Sequence, residues 1–79
     1  MKLRIKTFGI ARDIMGGKEV EVELNGNTVS QLRSSLMNKY PKLENLRSLF
    51  IAVNQNYSED TTVLVESDEI ALIPPVSGG

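Results

Sequence analysis

The sequence predicts an α+β fold in which a mixed sheet of four to five strands carries one main helix packed on one face. Residues 2–8 and 18–24 alternate apolar and charged side chains, which is the period-two pattern of half-buried strands. Residues 28–40 carry apolar side chains at helical spacings. Two short apolar runs, at 49–53 and 69–73, complete the order strand, strand, helix, strand, strand.

The first two strands carry outward charges of opposite sign. Those charges are Lys2, Arg4 and Lys6 on the first strand and Glu19, Glu21 and Glu23 on the second. Opposite charges across an antiparallel pair stabilise it by about 0.2–1 kcal/mol per pair, so we predict that these strands pair with each other. The segment Gly9–Gly17 between them is too long for a two-residue turn, and we predict a short helical turn closed by its glycines.

The main helix has a recognisable beginning and end. Thr28 and Gln31 have the capping-box spacing that starts a helix, and Pro41 stops it. The apolar residues that follow at helical spacings are Val29, Leu32, Leu36, Met37 and Tyr40. We interpret this stripe as core rather than as a binding groove, because a thin sheet needs a helix to cover its apolar face.

The later strands are short. Leu49–Val53 is apolar enough to lie inside the sheet, Thr61–Val65 is predicted as a short edge strand, and Glu69–Ile73 is predicted as the final strand. With the helix between the strand pairs, this order indicates a β-grasp, ubiquitin-like fold. By analogy with that fold we expect the first and last strands to be parallel neighbours.

The composition excludes several classes of function. The 79 residues include no Cys, His or Trp, so the chain cannot supply a thiolate, an imidazole base, a disulfide or a Cys/His zinc site. We therefore expect no metal site, no bound cofactor and no catalysis by the chain alone. The net charge of −1 gives no basis for binding nucleic acid, which needs clustered Lys and Arg.

The chain has no stretch typical of export or membrane insertion. Residues 1–6 alternate charged and apolar side chains where a signal peptide would have an apolar run, and nothing approaches 18 consecutive apolar residues. There is also no repeat, linker or low-complexity segment. We expect one cytoplasmic domain, residues 1–79, with no membrane partner.

The last six residues are Pro74-Pro75-Val76-Ser77-Gly78-Gly79. Proline fixes φ and cannot donate a hydrogen bond, so the two prolines are expected to end the last strand and direct a flexible, extended tail, residues 74–79, outward. Gly78 and Gly79 lack a Cβ and can enter a channel too narrow for any other residue. The candidate reactive group is the C-terminal carboxylate of Gly79.

An apolar surface is predicted beside this tail. Phe8 is in phase with the outward Lys6, and Ile73 turns outward at the end of the last strand. If these strands are parallel neighbours, the two side chains lie close together, and Tyr57 extends the same surface. We predict a partner-binding patch, since contiguous exposed apolar surface usually marks a partner site. The alternatives are a bulge that turns Phe8 inward, and ordinary exposed apolar residues without a function.

Four segments resemble the small, sulfur-carrying subunits of molybdopterin synthase. They are Gly9-x-Ala11-Arg12-Asp13, Ala52-Val53-Asn54-Gln55, Asp68-Glu69-Ile70-Ala71 and the terminal hexapeptide. The resemblance covers the whole chain, and its terminal hexapeptide is the specific part. It implies that an E1-like enzyme uses ATP to adenylate Gly79, and that a sulfur donor protein then converts the acyl adenylate into a thiocarboxylate.

The resemblance also implies the partner and the roles of the tail residues. The tail inserts into the large synthase subunit, where the sulfur passes to cyclic pyranopterin monophosphate and the catalytic side chains reside. Gly79 carries the sulfur, and Gly78 lets the tail pass through a narrow channel. Val76, with Pro74 and Pro75, positions the tail. Ser77 belongs to the inserted segment. Two small and two large subunits are expected to form a heterotetramer.

Three other functions are compatible with the residues. The same chemistry serves a sulfur carrier for thiamine synthesis or tRNA thiolation. A ubiquitin-like modifier would instead join Gly79 to a target lysine by an isopeptide bond. A plain interaction domain would have an inert tail. The residues Pro74-Pro75-Val76-Ser77 favour, by resemblance, the molybdopterin carrier over the other sulfur carriers. The sequence separates a modifier poorly from a sulfur carrier, because activation of the carboxylate is the same in both.

Overall fold

The computed structural model describes residues 1–46 and 48–75, which form a five-stranded mixed sheet with two α-helices. The elements in chain order are β1 (Lys2–Thr7), α1 (Gly9–Met15), β2 (Glu19–Glu23), α2 (Val29–Lys39), a 3-10 helix (Pro41–Asn45), β3 (Phe50–Val53), β4 (Asn56–Tyr57) and β5 (Ile70–Ile73). The strand order across the sheet is β2-β1-β5-β3-β4. This architecture confirms the predicted β-grasp class, with a main helix on a mixed sheet.

The pairing of β1 agrees with both predictions made for it. β1 and β2 are antiparallel, and each outward Lys or Arg of β1 lies opposite a Glu of β2, as in the pair Lys6 and Glu19. β1 and β5 are parallel, with Ile5 opposite Ile70 and Thr7 opposite Leu72. β5 is therefore a central strand. Because it runs parallel to β1, the C-terminal ends of both strands lie at the same end of the sheet, and the chain leaves β5 there.

Helix α2 begins at the predicted capping box. The Thr28 side-chain oxygen accepts from the Gln31 backbone N–H at 3.2 Å, and Gln31 Oε1 accepts from the Thr28 backbone N–H at 3.1 Å. Val29, Leu32 and Leu36 are fully buried, which confirms that the stripe belongs to the core. The buried residues from the sheet that pack with them include Leu3, Ile5, Val22, Ile51, Ile70 and Leu72.

The segment between the first two strands forms the expected short helix. α1 ends at Met15 and is capped by Gly16, whose φ of 85° is left-handed and whose N–H donates to the Arg12 carbonyl at 2.9 Å. Ala11 and Met15 are its buried residues. The helix thereby closes the end of the core next to the C-terminal ends of β1 and β5.

The predicted edge strand at Thr61–Val65 is wrong. This segment is a loop with one isolated bridge, between Val63 and Thr28, and it buries only Leu64. The Thr62 carbonyl accepts from the N–H of Val29, and the Asp60 carbonyl accepts from the N–H of Ser30. The loop thus satisfies the free N–H groups at the start of α2 instead of joining the sheet.

The edge strand on this side of the sheet is β4, where no strand was predicted. It pairs antiparallel with β3 and contains only two residues. Within the described residues, no helix has the length and apolar character needed to cross a membrane.

Candidate functional site

The face of the sheet opposite α2 carries a shallow apolar depression of about 360 Å³. Its lining brings together all three residues predicted for partner binding, and the full lining is Lys6, Phe8, Ala52, Gln55, Tyr57, Glu69, Ala71 and Ile73. The alternation of β5 explains its contribution, because Ala71 and Ile73 point to this face while Ile70 and Leu72 are buried on the other. The small side chains of Ala52 and Ala71 leave room between the larger ones.

Phe8 lies just after β1 and keeps the outward phase of that strand. The strand ends at Thr7, and Phe8 is the N-cap of α1 with extended backbone angles of −134° and 151°. Its side chain is 51% exposed, so the alternative of a bulge that turns the ring inward is wrong. Its role in binding a partner stays a prediction.

A fourth large apolar residue belongs to the same surface. Phe50 is 50% exposed, lies opposite Ile73 in the β3–β5 pair, and packs its ring on Tyr57 with centroids 5.3 Å apart. Phe50 is not among the residues predicted for partner binding, because the continuous apolar run of β3 predicts a strand buried on both faces. Phe50 lies two residues before Ala52 on β3, so alternation places both side chains on the same face of the sheet. We call Phe8, Phe50, Tyr57 and Ile73 the docking patch.

An ion pair borders the docking patch. Lys6 Nζ lies 2.5 Å from Glu69 Oε1, and both residues line the depression. The hydrogen bond that Lys6 donates to the Glu69 carboxylate, together with the negative charge of that carboxylate, raises the pKa of Lys6 above its usual range. Exposed ion pairs stabilise folds little, so we interpret this pair as a polar rim of the patch rather than as a determinant of folding.

The root of the C-terminal tail lies next to the docking patch. β5 ends at Ile73, and Pro74 then packs on Gly9, where an added Cβ would meet Pro74 Cγ at 3.4 Å. Gly9 has a φ of +54°, a conformation that side chains with a Cβ rarely adopt. The other four predicted tail residues, Val76, Ser77, Gly78 and Gly79, lie outside the described residues.

The hairpin between β3 and β4 completes the rim. Asn54 and Gln55 are its two loop residues, and both have positive φ, 52° and 71°. Asn54 is fixed by its side chain, which donates to Asp68 Oδ1 and accepts from the Glu69 backbone N–H, both at 3.0 Å. Gln55 is exposed and lines the depression.

Curated relatives match the chain over its whole length. The molybdopterin synthase sulfur carrier subunit of Mycobacterium tuberculosis is 40% identical, with 100% of this chain and 99% of that protein aligned. The subunit of the same name from Arabidopsis thaliana is 32% identical, with 100% of this chain and 84% of that protein aligned.

Solved structures share the fold. Small archaeal modifier protein 1 from Haloferax volcanii has a TM-score of 0.81 at 26% identity, over 100% of both chains. The protein of the same name from Methanosarcina acetivorans has a TM-score of 0.78 at 31% identity, over 99% of this chain and 96% of that one. A chain in the complex of subunits 1 and 2 of the molybdopterin-converting factor from Helicobacter pylori has a TM-score of 0.68 at 29% identity, over 100% of both chains.

These similarities agree with one another in extent, since each covers nearly the entire chain. The resemblance seen in the sequence segments is therefore a true relationship rather than a chance likeness of short motifs. Residues 5–79 match the ThiS family, and the chain belongs to that family.

Proposed function

We propose that this chain is the sulfur carrier subunit of molybdopterin synthase, and that its Gly79 thiocarboxylate donates sulfur to cyclic pyranopterin monophosphate during molybdenum cofactor biosynthesis. The observation that carries the proposal is the full-length match to curated subunits of that name, at 40% identity for the Mycobacterium tuberculosis protein. The terminal Gly78-Gly79 supplies the chemical group that such a role needs.

The proposed chemistry begins with a poor acyl donor. A Gly79 carboxylate oxygen attacks the α-phosphorus of ATP on the E1-like enzyme, pyrophosphate leaves, and the product is an acyl adenylate. Sulfide released by the donor protein then attacks the Gly79 carbonyl carbon, and the bond from that carbon to the AMP oxygen breaks, so AMP leaves and the thiocarboxylate remains. The chain supplies only the acyl group, and ATP is bound by the activating enzyme, so the catalytic side chains belong to its partners.

The proposed partner surface is the docking patch. Aromatic side chains are enriched among the residues that dominate binding energy at interfaces, and this patch presents three of them beside the root of the reactive tail. The large synthase subunit would grip the patch while the tail enters its active site. The Helicobacter pylori complex supports a partner of this kind, since it contains subunits 1 and 2 of the molybdopterin-converting factor. A heterotetramer in the cytoplasm, without nucleic acid or membrane, completes the proposal.

The proposed cargo is tested by intact mass spectrometry of the protein purified from its native host. A fraction of the molecules is expected to be heavier by the mass difference between sulfur and oxygen, and fragmentation should place the gain on Gly79. Treatment with the large subunit and cyclic pyranopterin monophosphate should return this fraction to the unmodified mass. The absence of a thiocarboxylate on Gly79, even in cells that make the cofactor, would contradict the proposal.

The docking patch is tested by Phe8→Ser. Burying an aromatic side chain stabilises a contact by about 1.5–3 kcal/mol, so the variant is expected to bind the large subunit about tenfold or more weakly. Its thermal midpoint should change little, because the ring is half-exposed in the free chain. Val63→Ser is the matched control, since Val63 is 61% exposed and does not line the depression. Unfolding of Phe8→Ser, or unchanged binding, would refute the patch.

A second candidate function is protein modification. The observation that favours it is the similarity to small archaeal modifier protein 1 from two organisms. In that role the Gly79 carbonyl would form an isopeptide bond with a target lysine instead of carrying a sulfur atom. Immunoblots of cell extracts distinguish the two functions, because a modifier forms a ladder of higher-mass conjugates whereas a dedicated sulfur carrier forms few.

A further inference from the structure

Gln55 occupies a backbone conformation that does not suit it. Its φ is +71°, at the second loop position of the β3–β4 hairpin. A two-residue hairpin with positive φ at both loop positions favours Gly at the second one, because any Cβ is crowded there. Asn54, at the first position, tolerates the conformation and is fixed by two hydrogen bonds. Gln55 has neither advantage.

The described fold gives no internal reason for a glutamine at this position. Over residues 1–46 and 48–75, the Gln55 carboxamide makes no hydrogen bond, and the side chain is exposed. Glycine would satisfy the hairpin better. Residues held in sparsely populated backbone conformations cluster at functional sites, so the conformation of Gln55 motivates a functional hypothesis.

The position of Gln55 indicates what its side chain serves. It lines the same depression as Phe8, Tyr57 and Ile73, so the carboxamide lies at the polar border of the docking patch. An interface typically surrounds an apolar centre with polar groups that fix the orientation of the partner. A carboxamide has both a donor and an acceptor, and it can therefore pair with a peptide group of a partner in both directions.

We propose that Gln55 is a recognition residue for the large synthase subunit. When that subunit covers the docking patch, one of its backbone peptide groups pairs with the Gln55 carboxamide. This inference rests on the proposed function. It also gives a source of specificity, because a partner without the matching peptide group would leave the buried carboxamide unpaired, which is costly.

The test compares two substitutions in the full 79-residue chain. Gln55→Gly removes both the carboxamide and the strain, whereas Gln55→Ala removes the carboxamide and keeps a Cβ. Both are expected to weaken binding to the purified large subunit about tenfold, as measured by calorimetry. Only Gln55→Gly should raise the thermal midpoint, by about 4 °C. Asn38→Ala, an exposed amide on α2 away from the depression, is the control for binding and should leave the affinity unchanged.

Each other result overturns the inference. If Gln55→Ala binds as tightly as the wild type while Gln55→Gly binds weakly, the effect comes from a loosened hairpin rather than from the carboxamide. If both variants bind the large subunit normally but bind the adenylating enzyme weakly, the assigned partner is wrong. Normal binding of both variants to both partners refutes only the recognition role of Gln55. A wild-type chain that does not bind the large subunit refutes the proposed function as well.

Discussion

A version of the chain with residues added after Gly79 is expected to give no molybdopterin above the level of a reaction without the chain. The added peptide bond converts the terminal carboxylate into an amide, which has no anionic oxygen to attack ATP. Neither the acyl adenylate nor the thiocarboxylate can then form. The folded body should be unaffected, because the addition lies beyond the last strand, which ends at Ile73.

The experiment uses an extension that contains a protease site. The intact form, the cleaved form ending at Gly79 and the unmodified chain are each combined with the adenylating enzyme, a sulfur donor, the large subunit and cyclic pyranopterin monophosphate. Cleavage should restore the activity fully, and mass spectrometry verifies that the uncleaved sample stays uncleaved. Molybdopterin formation by that uncleaved sample would show that the terminal carbonyl is not the reactive group.

The second large effect is expected from Gly78→Ala. In the proposed role the penultimate residue passes close to the backbone of each enzyme that binds the tail, and an added methyl group would displace the reactive carbonyl. Displacements of about 1 Å can slow a positioned reaction about a hundredfold, so sulfur loading or transfer should fall by a similar factor. The thermal midpoint should not change, because position 78 lies after the end of the sheet.

Ser77→Ala is the matched control, since it alters the neighbouring residue without adding bulk. Single-turnover assays separate loading by the adenylating enzyme from transfer in the large subunit, and they show which channel is the narrower. Wild-type rates of both steps in Gly78→Ala would contradict the argument from backbone access, whereas a large loss in Ser77→Ala would indicate that the hydroxyl matters instead.

Local patterns in the sequence predicted those parts of the fold in which neighbouring signals agree. Charge complementarity identified the β1–β2 pair, and the spacing of Thr28 and Gln31 identified the start of α2. Alternation along β1 and β5 placed Phe8 and Ile73 on the open face, where the structure brings them together. These predictions depend on short-range rules that the tertiary structure does not override.

The features that were missed depend on tertiary contacts. A strand of two residues, such as β4, is too short to show any alternation. Leu64 is buried because its loop packs against the start of α2, and an apolar residue in a β-favouring stretch gives the same signal as a strand. The left-handed conformation of Gln55 has no sequence signature either, because Asn-Gln is not among the dipeptides that mark such hairpins.

The central position of β5 has a mechanical consequence for a carrier. The strand that leads into the tail is hydrogen-bonded on both sides, to β1 and to β3, so a pull on the tail must break two ladders before the body opens. Because β1 and β5 are parallel, the load is shared by several hydrogen bonds in shear instead of being taken by one at a time. Enzymes can therefore bind, modify and release the C-terminus repeatedly while the domain stays folded.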